Sequence, residues 1–210
     1  SGTDANNCTN TDTVTVNAIP LPIIDAGNDL TICSGDSIQL NASGGDIYIW
    51  TPNTAISDNN ISNPFVNPII DIQYFLNGTD SNGCSNIDSI GITIDVLPAI
   101  TISNDTAICI GDTINISANG GVSYEWLNLD FINNTTISNP NIWPNASSTY
   151  PVKVTGGNNC FDTAEINITV NPLPTIFAGN EQNICFGDST FLIASGSANS
   201  YSWDNGVLDG

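Results

Sequence analysis

The 210 residues carry 21 Asp and Glu against one Lys or Arg, a net charge of −20, while charged residues make up only 10% of the chain. That balance excludes nucleic acid as a partner, because nothing here can neutralise a phosphate backbone. With no His and a single cation, Lys153, it also excludes catalysis by a His base, a Lys nucleophile or a His-ligated metal.

Hydrophobic residues reach 40%, with four Trp, five Tyr and seven Phe, which is too much for a disordered acidic tail. No apolar run approaches the roughly 18 residues of a membrane span, so membrane insertion is not expected.

In chain order, a first segment holds Cys8 and ends at Leu21-Pro22. Then come Ile32-Cys33-Ser34-Gly35-Asp36-Ser37, a predicted strand over 37–40, a Gly44-Gly45 turn, Tyr48-Ile49-Trp50, Asn63-Pro64, Pro68, Tyr74, an Asn82-Gly83 turn with Cys84, and a strand over 90–96. After Leu97-Pro98 the order repeats: Ile108-Cys109-Ile110-Gly111-Asp112-Thr113, a strand over 113–117, Gly120-Gly121, Tyr124-Glu125-Trp126, Asn139-Pro140, Pro144, Tyr150, Gly156-Gly157, Cys160 and a strand over 165–170. Leu173-Pro174 opens a third pass, with Ile184-Cys185-Phe186-Gly187-Asp188-Ser189 and, one residue late, Tyr201-Ser202-Trp203. The Cys, Gly-Asp, Leu-Pro, Asn-Pro and Tyr74/Tyr150 landmarks recur at an offset of 76 residues.

A fixed period of this kind is the signature of a repeat architecture. It divides the chain into the tail of a preceding repeat (1–22), two whole repeats (23–98 and 99–174) and the first half of a following one (175–210), as expected of a window from a longer array. The short alternating or β-branched runs, bounded by Gly, Asn, Asp and Pro, predict strands, and no stretch has helical periodicity. Seven short strands in about 76 residues fit a small immunoglobulin-like sandwich. The fold class is therefore all-β, a linear array of small sandwiches. Trp50, Trp126 and Trp203 are expected in the core, as are Tyr74 and Tyr150, whose hydroxyls are placed to tie down a corner.

A unit reading L-P-x-I-x-A-G-N-x-x-x-I-C-x-G-D-S, then Y-x-W, N-P, P, Y and N-G-C, resembles the PKD-like and immunoglobulin-like repeats of large secreted Bacteroidetes cell-surface proteins. The gliding-motility adhesins exported by the type IX secretion system are of this kind. The resemblance spans essentially the whole chain. It implies an extracellular, cell-surface location, a stalk or adhesin function, and neighbouring repeats, like filaments or surface glycans as partners. The alternative is a set of accessory carbohydrate-binding or spacer repeats in a secreted polysaccharide-degrading enzyme. Independently of the family, a quasi-one-dimensional array stiffened by Leu-Pro linkers reads as a spacer without catalytic residues.

Six cysteines without metal-ligand spacing read as disulfides, and the repeat leaves two regular schemes open. One closes a loop inside each repeat, Cys33 with Cys84 and Cys109 with Cys160, the partners of Cys8 and Cys185 lying outside the window. The other joins adjacent repeats: Cys8 with Cys33, Cys84 with Cys109, Cys160 with Cys185. The first is the expected one, since a small module gains most from an internal staple. In a plain sandwich order, however, the first and last turns lie at opposite ends, about 17–20 Å apart.

No metal site and no resident cofactor are expected. Calcium is the one ion to weigh, with Asp25, Asp29 and Asp36, or Asp80 and Asp88, as oxygen ligands. Asp25 becomes Thr101 and Asp80 becomes Gly156 one repeat on, so such a set does not recur. Asp-Ser/Thr before Val, Ile, Ala or Thr, at Thr13, Ser37, Ser89, Thr106, Thr113, Thr163 and Ser189, resembles the O-glycan acceptor pattern of Bacteroidetes secreted proteins. For Ser37, Thr113 and Ser189 the same residues also serve to cap a turn before a strand. The Asn-x-Ser/Thr sequons, Asn41 and Asn115 among them, are weaker signals in so Asn-rich a chain. Trp143 has no counterpart in the other repeats and is the better candidate for an exposed contact.

At about 0.15 M salt the Debye length falls to roughly 8 Å, so repulsion between these anionic chains is screened. Self-association, followed by light scattering, is expected to rise as sodium chloride increases from about 0.01 M to that level.

Overall fold

The computed structural model describes residues 1–204, and 205–210 lie outside the described residues. The chain divides into two units, Ser1–Leu97 and Pro98–Gly210. All regular structure among the described residues is β.

In the first unit a small hairpin, β1 (Gly2–Thr3) and β2 (Thr9–Asn10), precedes the sandwich of β3 (Leu30–Cys33), β4 (Ile38–Gln39), β5 (Ile47–Thr51), β6 (Phe65–Val66), β7 (Ile72–Thr79) and β8 (Ser85–Asp95). One sheet runs β3-β8-β7-β5 and the facing layer holds β4-β6. Here β3 runs parallel to β8, Leu30 opposite Ile92 and Cys33 opposite Asp95, whereas β7 is antiparallel to both its neighbours.

The second unit has β9 (Thr101–Ile102), β10 (Thr106–Cys109), β11 (Ile114–Asn115), β12 (Ala118–Asn119), β13 (Ser123–Trp126), β14 (Asn141–Ile142), β15 (Ser148–Thr155) and β16 (Phe161–Asn171). Its sheet β10-β16-β15-β13 repeats the first. Thr106 stands parallel opposite Ile168, the first unit's pairing carried forward by one repeat. A last hairpin, β17 (Ile176–Phe177) and β18 (Ser195–Gly196), follows.

Period-two burial explains why these segments are strands. Along β7, Tyr74, Leu76 and Gly78 point inward while Phe75 and Asn77 face out, and along β15 Tyr150, Val152 and Val154 do the same. Each unit closes on its own core. Trp50, Tyr74, Leu76, Ile90 and Ile92 pack in one, and Trp126, Tyr150, Val152, Ile166 and Ile168 in the other. A buried indole or phenol needs a partner for its polar end. Trp50 Nε1 donates to the Ile61 carbonyl and Trp126 Nε1 to that of Ile137, each at 2.9 Å. The Tyr74 hydroxyl donates to the Thr54 carbonyl at 2.8 Å, and the Tyr150 hydroxyl to that of Asp130 at 3.2 Å.

Trp203 departs from the expected core position. It is half-buried, beside an open cavity of ≈ 270 Å³ lined also by Ile176, Ala178, Ala194 and Tyr201. The described part of that third pass holds the hairpin of β17 and β18.

The paired glycines differ too from simple turn residues. Gly44 and Gly120 have φ of 91° and 108°, and a Cβ on either would collide with the carbonyl of Ile23 or Ala99. They let the first strand of each repeat cross close to the backbone. Gly78 makes room for the Ile24 side chain, a need the second unit meets differently, with Val154 in the core.

Burial raises the pKa of Tyr74, and burial together with the nearby Asp130 charge raises that of Tyr150. The stability from keeping each phenol neutral is complete below the ordinary value of about 10 and is lost as pH rises through the higher folded values. A spectrophotometric titration is expected to show two of the five tyrosines ionising late, with unfolding accompanying them. Tyr74→Phe removes a buried hydrogen bond and is expected to cost about 1–2 kcal/mol, and Trp50→Ala about 3–5 kcal/mol, measured by denaturant unfolding.

Candidate functional site

The β3–β8 register decides what the cysteines can do. Cys33 ends β3 beside Asp95, whereas Cys84 lies just before Ser85 at the other end of β8. Eleven residues of strand separate Cys84 from Asp95, about 36 Å at the usual rise. A disulfide needs Cα atoms within roughly 7 Å. The second unit repeats this, with Cys109 beside Asn171 and Cys160 just before Phe161. The expected bridges Cys33–Cys84 and Cys109–Cys160 are therefore corrected. Cys84 and Cys109 are free thiols, as are Cys8 and Cys185, while Cys33 and Cys160 are disulfide-bonded. Those free thiols also remove the adjacent-repeat scheme. Cys160 is 1% exposed, its equivalent Cys84 is half-buried, and Cys8 is exposed.

The turn carrying Cys84 is held by a carboxylate. Asp80 Oδ1 accepts from the amides of Asn82 and Cys84, each at 2.9 Å, and Asp4 does the same for Asn6 and Cys8. Desolvation pushes the Asp80 carboxyl up, but hydrogen bonds from the Cys84 amide, the Asn82 side chain and the Asn82 amide together hold it below its ordinary value. In the second unit, where Gly156 replaces the Asp, Asn158 Oδ1 accepts from the Cys160 amide at 3.2 Å.

Three of the other carboxylates weighed for calcium are engaged by separate amides. Asp29 accepts from the Gly91 amide at 2.7 Å, Asp88 from the Ala26 amide at 2.8 Å, and Asp25 from the Gly27 amide at 2.8 Å. Asp105, the repeat equivalent of Asp29, accepts from the Asn167 amide at 2.8 Å. No group of three or more His, Cys, Asp or Glu converges among the described residues.

The glycan-acceptor candidates Thr13, Ser37, Thr106, Thr113, Thr163 and Ser189 are exposed. Ser89 is half-buried, its Oγ accepting from Gln73 Nε2 at 3.1 Å. Trp143 is 41% exposed, next to Phe131, whose carbonyl accepts from the Trp143 amide. Composition could not reveal the role of Lys153. Its ammonium lies 4.3 Å from the centre of the Phe161 ring, across the β15–β16 pair.

No protein-family model matches the chain, and no curated protein sequence does. Among solved structures, a two-domain immunoglobulin fragment of DIP-gamma is 13% identical with a TM-score of 0.33, covering 72% of this chain and 98% of that one. A three-domain immunoglobulin segment of titin is 11% identical, with a TM-score of 0.35 and coverage of 75% and 68%. The insect immune protein hemolin is 13% identical, with a TM-score of 0.35 and coverage of 71% and 47%. The likeness is loose, and the chain's own strand order carries the reading of an immunoglobulin-like sandwich.

Because Asp25, Asp29, Asp80 and Asp88 each already accept from backbone amides, calcium is expected to act only through ionic strength. The melting temperature in calcium chloride should equal that in sodium chloride at the same ionic strength. A calcium-specific rise would show a site that the geometry does not provide.

Proposed function

We propose that this chain is a structural segment of an extracellular cell-surface filament or adhesin, in which immunoglobulin-like repeats act as rigid spacers and present a repeated adhesive surface for attachment or gliding. The observation that supports it most is the recurrence of one scaffold at a fixed offset. Trp50/Trp126, Tyr74/Tyr150 and Asp29/Asp105 make the same bonds in both units, while no group of three or more His, Cys, Asp or Glu converges among the described residues of either.

A repeated scaffold with a varied surface suits spacing and contact better than catalysis. Disulfide-bonded cysteines support an oxidising, extracellular compartment. No helix among the described residues is long and apolar enough to cross a membrane. Like filaments and surface glycans are the partners in this reading. The exposed Asp-Ser/Thr sites would carry O-linked sugar, and Trp143 offers a flat ring to a sugar or protein face.

A compact globule of 210 residues has a radius of gyration of roughly 17 Å. The spacer reading expects small-angle scattering from the oxidised chain to give a value well above that. A value at the compact limit would overturn it.

A further inference from the structure

The two sandwiches share one backbone design after the core Trp but fill it differently. In the first, Ala55 has φ 54°, Ile56 bridges to Val66, and the Asn67 amide donates to the Ala55 carbonyl at 3.0 Å. In the second, Phe131 has φ 55°, Ile132 bridges to Ile142, and the Trp143 amide donates to the Phe131 carbonyl at 2.9 Å. Ile132 and Ile142 turn to the core. Phe131 and Trp143 are the next cross-strand pair, with Cα atoms about 5.5 Å apart in such a ladder. They fall on the solvent side, 38% and 41% exposed.

Where the first repeat has a methyl group and an amide, the second therefore has two aromatic rings. The loop leading into Phe131 changes in the same way. Thr51 and Asn53 become, 76 residues on, Leu127 and Leu129, which are 51% and 73% exposed, and Thr54 becomes Asp130, also exposed. The scaffold does not require these changes, since Thr54 and Asp130 alike give their backbone carbonyl to the buried Tyr hydroxyl. A bulky side chain at positive φ is unfavourable in itself, and strain of this kind collects at functional positions. Four apolar side chains around one carboxylate gain by burial against something outside the chain.

Charge complementarity says what that is. The net charge is −20, and the single cation of the chain is engaged, with Lys153 Nζ 4.3 Å from the centre of the Phe161 ring and Glu125 its cross-strand partner. Trp143, Phe131 and Asp130 offer the same chemistry, ring and carboxylate together, to a cation that the chain does not itself supply. A ring face attracts a cation through its quadrupole, and the anionic surface draws one in from a distance. A sugar finds fewer partners, because the amide side chains beside the rings are turned to the backbone. Asn128 Oδ1 accepts from the Asp130 amide at 3.1 Å and its Nδ2 donates to the Thr149 carbonyl at 3.0 Å, while Asn133 Oδ1 accepts from the Asn141 amide at 2.9 Å.

We propose that loop 127–131 together with Trp143 is a docking surface for a basic, amphipathic segment of another protein. A Lys or Arg of that partner lies over the rings beside Asp130, and its apolar residues rest on Leu127 and Leu129. The surface is built from the second sandwich by itself, and the inference does not rest on the spacer reading.

The probe is a fluorescently labelled peptide of alternating Arg and Leu, titrated with the whole chain and followed by anisotropy. The double variant Phe131→Ala/Trp143→Asn carries the first repeat's own residues on a backbone that accepts them there, and it keeps the net charge, so attraction by charge alone survives. It is expected to bind the peptide about tenfold more weakly, with the melting temperature and the fluorescence of the buried Trp50 and Trp126 native. Asp130→Thr, again the first repeat's residue, is expected to weaken binding severalfold. Raising sodium chloride from about 0.01 M to about 0.15 M is expected to weaken binding to the unaltered chain.

Equal affinity of the unaltered chain and the double variant would show that charge alone holds the peptide and would overturn the proposal. Absence of peptide binding would overturn it as well. So would tighter binding, lost in the double variant, of the same peptide with Gln in place of Arg, of a neutral β-glucan oligosaccharide, or of phosphatidylcholine vesicles. Those outcomes would assign the rings to an uncharged apolar segment, a sugar or a lipid surface.

Discussion

Parallel pairing of a four-residue strand with the last part of β8 is the constraint on which the rest depends. Leu30–Cys33 lies along Ile92–Asp95, not along the start of that strand. Asp29 fixes the alignment, its carboxylate receiving the Gly91 amide just before the ladder begins, and Asp105 does so for Asn167. A charge-assisted bond at the mouth of the ladder resists a register slip, which would also turn the strand's buried Ile32 to solvent. From this one alignment follow the separation of the two cysteines of a repeat to opposite ends and the impossibility of stapling a repeat on itself.

The two sandwiches also show which features the fold demands and which it lets drift. The Trp-to-carbonyl and Tyr-to-carbonyl bonds recur atom for atom, because a buried indole N–H or phenol left unpaired is expensive. Other positions keep the function of a bond while changing the residue. Asp80 is replaced by Gly156, with Asn158 serving the turn amide instead. Asp71, which takes the Ile94 amide, has Ser147 Oγ as its counterpart for Val170. What persists is an acceptor at a given amide, not a charge.

That explains the acidity of the chain better than a metal does. Many of its carboxylates sit at turns and strand edges, where amides have no ladder partner, and Asp reaches those amides with a short side chain. The negative surface is in part a by-product of an all-β scaffold with short strands and many turns to satisfy. It also leaves Lys153, the single cation, to rest on the Phe161 ring, with Glu125 opposite it on the neighbouring strand.

The 76-residue period, the all-β class, and the inward placement of Trp50, Trp126, Tyr74 and Tyr150 are legible in the sequence, since periodicity and aromatic spacing are local signals that survive without coordinates. The cysteine pairing was not. Spacing along the chain made Cys33 and Cys84 look like partners, and only the parallel register of β3 on β8 put them about 36 Å apart. Trp203 carries the same motif as Trp50 and is half-buried in the described part of the third pass. The sequence by itself determined the repeat, its strands and its inward faces. Register, and with it which end of a sandwich each cysteine occupies, was decided by tertiary structure, because pairing joins residues some sixty positions apart whose alignment no local pattern encodes.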